Sequence, residues 1–258
     1  MSERTPAISI IMPAWRAEAT LTEAVGSVAA QSRQDWELIL APDGSREEAA
    51  PTLEVAGRLA AADPRIRGLE PPGAQTGAGL SRNRALALAR GRWLAFLDAD
   101  DLWMPEKLAR QTAFMEETGT GLSYTGFLRR DMGSGRESAV RPPPRVTRES
   151  LRRGNVIGCL TVMLDRDRIE PLTGPVRMTD MPLRQDYALW LQILGALGEA
   201  RGLPEPLAIH RRSPRSLSSG KGRATWWTWR LYRDQEGLSV PRAALCLASH
   251  LGGRLRRG

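Results

Sequence analysis

Hydrophobic positions in the first part of the chain follow two alternating patterns. Short unbroken apolar runs are separated by longer stretches whose apolar residues recur three and four apart. Ile8–Met12 is a β-rich run that stops at Pro13. Thr20 and Glu23 then have the T-x-x-E spacing of a capping box, in which each side chain satisfies a free backbone N–H at a helix start. Behind them Leu21, Ala24, Val25, Val28 and Ala29 keep the spacing of a core-facing helix. Trp36–Ala41 predicts a second strand, ended by Pro42-Asp43-Gly44, and a helix follows over roughly Glu47–Ala62. A short strand is predicted at Ile66–Leu69, and a loop runs through Pro71-Pro72-Gly73 and Gly77-Ala78-Gly79. Ser81–Arg90 predicts a helix capped by Gly91. Trp93–Leu97 is apolar at every position, as suits a strand buried on both faces of a parallel sheet. Strand and helix in alternation predict an α/β fold with a mostly parallel, Rossmann-like sheet flanked by helices.

Further on the pattern loosens. Leu122–Phe127 and Leu160–Leu164 predict strands, Gly133-Ser134-Gly135 and Pro142-Pro143-Pro144 are loop material, and Tyr187–Leu197 predicts a helix. From Pro241 onward Ala244, Leu247, Ala248, Leu251 and Leu255 keep helical spacing. Arg242, Arg254, Arg256 and Arg257 surround them with no acidic residue, and Trp226, Trp227 and Trp229 lie upstream near Arg223 and Arg230. A basic helix with nearby tryptophans suits an anionic membrane surface. A helix packed on the rest of the protein, its arginines in water, has the same pattern.

Composition narrows the class. The 258 residues suffice for one domain with an extension. Cys159 and Cys246 are the two cysteines, which excludes a disulfide framework and a cysteine-rich zinc site and suits a reduced compartment. Met1 to Pro6 is polar, Ile8–Met12 is too short for a signal-peptide core, and no stretch is long enough to span a bilayer. The expectation is a cytoplasmic protein, with peripheral attachment to the inner face of the cell membrane left open. The net charge of +8 is unevenly placed. Residues 1–128 hold 13 basic and 17 acidic residues, the remainder 24 and 12. A basic second half suits phosphorylated substrates, an anionic membrane or nucleic acid, and charge alone does not choose among them.

In open parallel α/β sheets, ligands sit beyond the carboxyl ends of the strands. Trp15 follows the first strand, Asp43 the second, and Asp98-Ala99-Asp100 the buried apolar one. Two carboxylates two apart in an extended segment project to one side, so both would reach one cation–diphosphate unit. Hard oxygen ligands select Mg²⁺ or Mn²⁺. An acidic loop capping a helix that starts at Pro105 is the plainer alternative.

Several motifs occur together in one order: Ile8-Ser-Ile-Ile-Met-Pro-Ala-Trp15, Ala30-Gln31, Asp35-Trp36-Glu37-Leu38, Asp43-Gly44-Ser45, Arg82-Asn83 and Phe96-Leu-Asp-Ala-Asp-Asp-Leu-Trp103. Pro105-Glu-Lys-Leu108, Thr161-Val-Met163, Asp186-Tyr-Ala-Leu-Trp-Leu191 and His210-Arg211 follow. Together, over roughly residues 7–220, the chain resembles the family-2 glycosyltransferases. That resemblance implies a GT-A fold and transfer of a sugar, with inversion, from a nucleotide-diphosphate donor to a hydroxyl of a glycan or lipid-linked acceptor. It implies a catalytic domain at 1–220, with a nucleotide-sugar half at 1–104 and an acceptor half at 105–220, and a basic helical extension at 221–258.

By the same resemblance Pro13 and Trp15 would lie at the nucleobase, with the Trp15 ring stacked on it, and Asp43 would accept from a base N–H. Arg82 would lie near the nucleotide, Asp98 and Ala99 near the ribose, and Asp100 would bind the metal. Asp186 would be the general base that takes the acceptor proton. His210 and Arg211, with Arg212, Arg215 and Lys221, fall in a Ser/Gly/Arg segment expected to be flexible and to close over the donor diphosphate. Plainer roles stand beside these: a core tryptophan at 15, a turn residue at 43, a solvated helix face at 82, a helix N-cap at 186.

Two positions depart from the family pattern. Pro42 stands where a first acidic residue is common, and Gln185 where Glu is usual. A sugar-1-phosphate nucleotidyltransferase would want a Gly-rich basic loop after the first strand, where Pro13-Ala14-Trp15-Arg16 stands. A nucleic-acid binder would show zinc-finger spacing, an RNP-like motif or a recognition helix; none is found, and no nucleic-acid partner is expected.

Overall fold

The computed structural model describes residues 5–212 and 221–255. Its centre is set by β1 (Ile8–Ala14), β2 (Trp36–Pro42), β3 (Ile66–Gly68) and β4 (Trp93–Phe96), all mutually parallel, with β1 between β2 and β4. Side chains alternate across a strand, and here both faces find a core. Ile10, Met12, Leu38, Leu40 and Ala95 point to one side, where α1 (Leu21–Ala29), α2 (Arg46–Ala62) and α4 (Lys107–Thr118) pack. Ile11, Ile39, Leu94 and Phe96 point to the other, against α3 (Ala78–Leu86) and α7 (Gln185–Leu197). Burial on both faces is why these strands are written as unbroken apolar runs, each Ile or Leu contributing about 1.5–3 kcal/mol.

Beyond β4 the sheet is mixed. Its strands are β5 (Leu102–Trp103), β6 (Leu122–Asp131), β7 (Glu137–Val140), β8 (Arg145–Thr147), β9 (Met163–Asp165) and β10 (Glu199–Arg212). The order is β3-β2-β1-β4-β9-β6-β10-β5, with β7 on β6 and β8 on β10. β9 runs antiparallel between β4 and β6, while β6 and β10 are parallel. The fold is α/β as expected, its parallel part confined largely to the first half.

Several local expectations are corrected. Thr20 makes no capping bond; its hydroxyl turns to the Ala17 carbonyl, and Glu23 is taken by a distant arginine. Ser45 and Glu48, at the same spacing, form the capping box that opens α2. The third helix is Ala78–Leu86 rather than Ser81–Arg90. Gly91 does not cap it, since the helix ends at Leu86 with Ala87 as its C-cap; glycine stands at 91 because a Cβ there would meet the β1 backbone at Ser9 and Ile8, 2.6 and 2.8 Å away. Leu160–Leu164 divides into a 3₁₀ turn, Cys159–Thr161, and β9.

The C-terminal helices join the second core. α5 (Arg148–Arg152) and α6 (Arg166–Thr173) contribute Leu151 and Ile169 to it. α8 (Lys221–Arg230) runs into a wider π turn, Leu231–Gln235, and α9 (Val240–Leu255) packs back. Leu231, Tyr232, Leu238, Ala243 and Cys246 are buried in the same cluster as Phe96 and Trp190. The expected stripe of α9 divides: Ala244, Ala248 and Leu251 are exposed, Leu247 is half-buried against the core, and the fully inward residues are Ala243, Cys246 and His250. Arg242 has an acidic partner after all, Glu149 of α5 at 3.0 Å. No helix among the described residues is long and apolar enough to cross a membrane.

Candidate active site

The strand order reverses at β1, with β2 on one side and β4 on the other, so a crevice opens at their carboxyl ends. Trp15, Asp43 and Asp98 stand at those ends. Pro13 is level with Ala41 on β2. Trp15 is half-buried rather than a core residue, and its indole lies on the turn after β2. A Cβ on Gly44 would sit 2.2 Å from that ring, and Gly44 has φ +93°, so glycine is required there on both counts.

The Asp43 carboxylate is buried and pins the next loop. Oδ1 accepts from the Thr76 N–H at 2.8 Å and the Thr76 hydroxyl at 2.7 Å, and Oδ2 accepts from the Gly77 N–H at 2.8 Å. Burial raises its pKa, but these donors outweigh it and hold it below the ordinary Asp value. They also fix the start of α3 and hence the entry of Arg82.

Arg82 is buried, not on a solvated helix face, and its guanidinium pairs with Asp98. Its Nε has no hydrogen-bond partner among the described residues. Burial works against its charge, but Asp98, Cys159 and Asp186 all act on it and raise its pKa. Asp98 to Asp101 form a turn closed by the Asp101 N–H on the Asp98 carbonyl, not an extended segment. The carboxylates therefore diverge: Asp98 faces Arg82, Asp100 stands exposed, and Asp101 points inward. Ala99 is buried beneath the turn. α4, which opens at Lys107, is not capped by this acidic turn.

His210 and Arg211 belong to β10, so they are strand residues and not part of a flexible loop; Arg212 ends that strand. Arg215 lies outside the described residues, and Lys221 opens α8. Asp101 accepts from the Arg211 N–H at 2.9 Å and lies 3.2 Å from His210 Nδ1. Burial opposes a charge on His210, but its hydrogen bond with Asp101 wins and raises its pKa. The Arg211 guanidinium donates to the Asp100 carbonyl and pairs with Glu23 of α1, and its Nη2 is buried with no hydrogen-bond partner among the described residues. Glu23, Asp101 and Arg211 thus clamp the acidic turn to α1 and β10, a role that local spacing did not show.

Asp186 lies in the first turn of α7, half-buried, with no hydrogen bond among the described residues. It is not the N-cap; Arg184 holds that place with φ 72°. Among the described residues Arg184 and Arg16, next to Trp15, are the non-glycine residues with positive φ. Such strain costs about 1–3 kcal/mol and gathers at functional sites. Gln185 packs on Gly79 of α3. The Cys159 thiol, pushed up by burial, feels Arg82, Asp98, Asp186 and Asp101 together, so all four charges lie within electrostatic reach of it. Lys107, fully buried with its amine 3.9 Å from the Trp103 ring centroid, lies close enough for Cys159 to act on it.

Although Asp100 is exposed as a residue, the protein crowding its carboxyl strips water from it and, with Asp101 and Asp98 nearby, pushes it up to about 6. A carboxyl pressed by two neighbouring carboxylates gains from a hard divalent cation. No three His, Cys, Asp or Glu side chains gather for a metal among the described residues. Mg²⁺ and Mn²⁺ suit such an open arrangement, keeping water and substrate phosphates as further ligands.

Residues 9–164 match the model of the family described as Glycosyl transferase family 2. Over 260 aligned residues the chain is 34% identical to TuaG of Bacillus subtilis (strain 168), named a teichuronic acid biosynthesis glycosyltransferase, covering all of this chain and 99% of that one. It is 35% identical over 189 residues to WfgD of Escherichia coli, covering 72% of this chain and 69% of the relative. WfgD is named a UDP-Glc:alpha-D-GlcNAc-diphosphoundecaprenol beta-1,3-glucosyltransferase. Among solved structures, Staphylococcus aureus TarS 1-349 with UDP-GlcNAc matches with a TM-score of 0.70 and 17% identity, over 95% of this chain and 71% of that one. The mannosyltransferase PcManGT from Pyrobaculum calidifontis, with GDP-Man and Mn²⁺, matches with a TM-score of 0.68 and 14% identity, over 95% of this chain and 70% of that one. The chain belongs to glycosyl transferase family 2. It is a glycosyltransferase with the GT-A fold.

Proposed function

We propose that this enzyme transfers a sugar from a nucleoside-diphosphate donor to a hydroxyl of a lipid-linked glycan, inverting the anomeric carbon, with Asp186 as the base. The observation that supports this reading is Asp186, half-buried and without a hydrogen bond among the described residues, close enough to the Arg82–Asp98 pair for its charge to act on Arg82. Trp15, half-buried with Arg16 over its ring, would bring an aromatic surface to the base, with Asp43 beside it and Pro13 and Ala99 nearby on their strand ends. Arg82 Nε and Arg211 Nη2 are buried donors awaiting an acceptor, which suits phosphate oxygens, and His210 lies alongside. Asp100 would hold Mn²⁺ or Mg²⁺, which when bound neutralises charge on the leaving diphosphate.

The acceptor oxygen attacks the anomeric carbon as its proton passes to an Asp186 carboxylate oxygen. The bond from that carbon to the diphosphate oxygen breaks, its electron pair leaving with the nucleoside diphosphate. One displacement inverts the centre. WfgD's name supports a UDP-sugar donor and a polyprenyl-diphosphate-linked acceptor. A lipid acceptor also fits the apolar outer face of α9 and exposed Trp226, beside the basic end of the chain, as a contact with the anionic inner face of the cell membrane. This supports reading the 221–258 extension as part of the acceptor side, next to the 1–220 catalytic region.

The test is a thermal-shift screen of nucleotide sugars with Mn²⁺, followed by transfer from the stabilising donor to a synthetic polyprenyl-diphosphate-GlcNAc. A product of inverted configuration is expected. Stabilisation by no nucleotide sugar, or a product of retained configuration, overturns the reading.

A further inference from the structure

The residues on either side of Asp186 are held from the C-terminal helices. Arg184, in the left-handed region at φ 72°, donates from Nε to the Thr228 hydroxyl oxygen at 3.1 Å. Thr228 is buried on α8, and its own proton goes to the Ala224 carbonyl at 2.8 Å, which leaves the oxygen turned to accept. Tyr187, fully buried, donates to the Leu151 carbonyl at 2.8 Å, and its hydroxyl lies 2.9 Å from that of Tyr232. Tyr232 also bonds to the Arg152 carbonyl and lies 3.4 Å from His250 Nδ1 of α9. Thr228 and Tyr232 are four residues apart, and the chain widens into its π turn where Tyr232 sits, a distortion common at functional positions. Glu236 locks the arrangement to α5, its carboxylate buried between Arg148 and Arg152.

From this geometry we infer that Thr228 and Tyr232 are positioning residues for Asp186, so that residues 221–255 complete the acceptor side of the site from behind. A base works only within hydrogen-bond reach of the proton it takes, and small displacements of a reacting group are costly in rate. The hydroxyls of residues 228 and 232 hold the side chains of Arg184 and Tyr187, which flank Asp186 along the chain. Among the described residues neither hydroxyl bonds to Trp15, Asp43, Arg82 or Asp98, so their loss is expected to act on transfer and not on donor binding.

The inference rests on Asp186 being the base, and the experiment separates the two claims. Thr228→Val, Thr228→Ser, Tyr232→Phe and Asp186→Asn are made in the full chain, together with Thr228→Val/Asp186→Asn. Transfer kcat, donor KM and nucleoside-diphosphate affinity are measured, with circular dichroism and melting temperature as checks on folding. Thr228→Val and Tyr232→Phe are each expected to lower kcat about tenfold with donor KM and diphosphate affinity unchanged, and Thr228→Ser to retain the wild-type rate. In the double variant Thr228→Val should add nothing to Asp186→Asn, because it acts through that carboxylate. Wild-type kcat in Tyr232→Phe and Thr228→Val, with Asp186→Asn slow, overturns the positioning role, as does an undiminished tenfold loss in the double variant. Wild-type transfer by Asp186→Asn instead overturns the base assignment. If Thr228→Val does not fold, Tyr232→Phe, which keeps the ring in place, decides alone.

Discussion

The proposed donor side and the proposed acceptor side of this enzyme are built differently. Trp15, Asp43 and Asp98 each hang from the end of a parallel strand buried on both faces, so the fold itself delivers them to one crevice. Asp186 hangs from the start of a helix whose preceding residue is strained and whose first turn is tied to α5 and the C-terminal helices. The first arrangement is set by strand geometry, and the second by contacts between residues far apart in sequence. Chemistry on the donor side should therefore fail when a functional group is removed, while the acceptor side should also fail when its supports are.

The largest effect is expected on the donor side. Asp100→Asn removes a negative ligand from the proposed cation while leaving the turn at 98–101, whose closing bond is between backbone atoms, intact. Turnover in Mn²⁺ should fall by roughly 10³-fold or more, with little change in melting temperature. Full activity of this variant in EDTA-treated buffer would end the metal-dependent reading. Asp186→Asn comes next, with transfer falling roughly 10²-fold and nucleoside-diphosphate affinity unchanged. A matching loss of diphosphate affinity would erase the distinction between the two sides.

Lys107, buried near Trp103 and Cys159, should report on stability rather than turnover. Its ammonium is fully buried against Trp103, and burial brings its pKa down from 10.5 to about 7. Between those values the unfolded chain holds a proton that the folded chain does not, so this residue makes stability rise with pH across that window. At and below pH 7 the folded state bears the cost of a buried charge. Lys107→Met, apolar and of similar size, should stabilise the protein there by about 1–4 kcal/mol, the gain fading toward pH 10.5. Urea melts at several pH values measure it. A loss of stability at pH 7 would mean that the contact with Trp103 outweighs desolvation.

How much was legible in the sequence follows the same division. Strands buried on two faces need unbroken apolar runs, so β1, β2 and β4, and the polar residues at their ends, could be read locally. The T-x-x-E spacing at Thr20 misled because Glu23 pairs with Arg211, 188 residues away, and no local pattern carries that contact. Asp98 and Asp100 were found by type, but their divergence was not, since it depends on Arg82 and β10 arriving from elsewhere. Arg211 read as loop because Ser, Gly and Arg follow it, whereas its place in β10 is set by pairing with β6. Helix α9 is apolar on two faces, so periodicity alone could not choose the inward one.

That outer face of α9 provides the smallest expected effect and the sharpest test of what the acceptor side meets. Leu245 is 73% exposed and Val240 55%, with Ala244, Ala248 and Leu251 also at the surface. Truncating α9 would remove Ala243, Cys246 and His250 from the core and confuse unfolding with lost contact. Leu245→Glu with Leu251→Glu avoids that, because it changes surface side chains only. If this face meets lipid, each leucine contributes up to about 1.5–3 kcal/mol of burial and each nearby arginine about 1 kcal/mol toward an anionic surface. Partial insertion leaves a fraction of this, so sedimentation with anionic liposomes should fall about tenfold in the double variant and also weaken with salt. Turnover on a short water-soluble acceptor should be unchanged, because neither leucine contacts Thr228, Tyr232 or Glu236. Equal binding of wild type and variant to anionic and neutral liposomes would remove the membrane contact and leave α9 as packing alone. Its inward face would then still be needed, since it carries the His250 contact to Tyr232 behind Asp186.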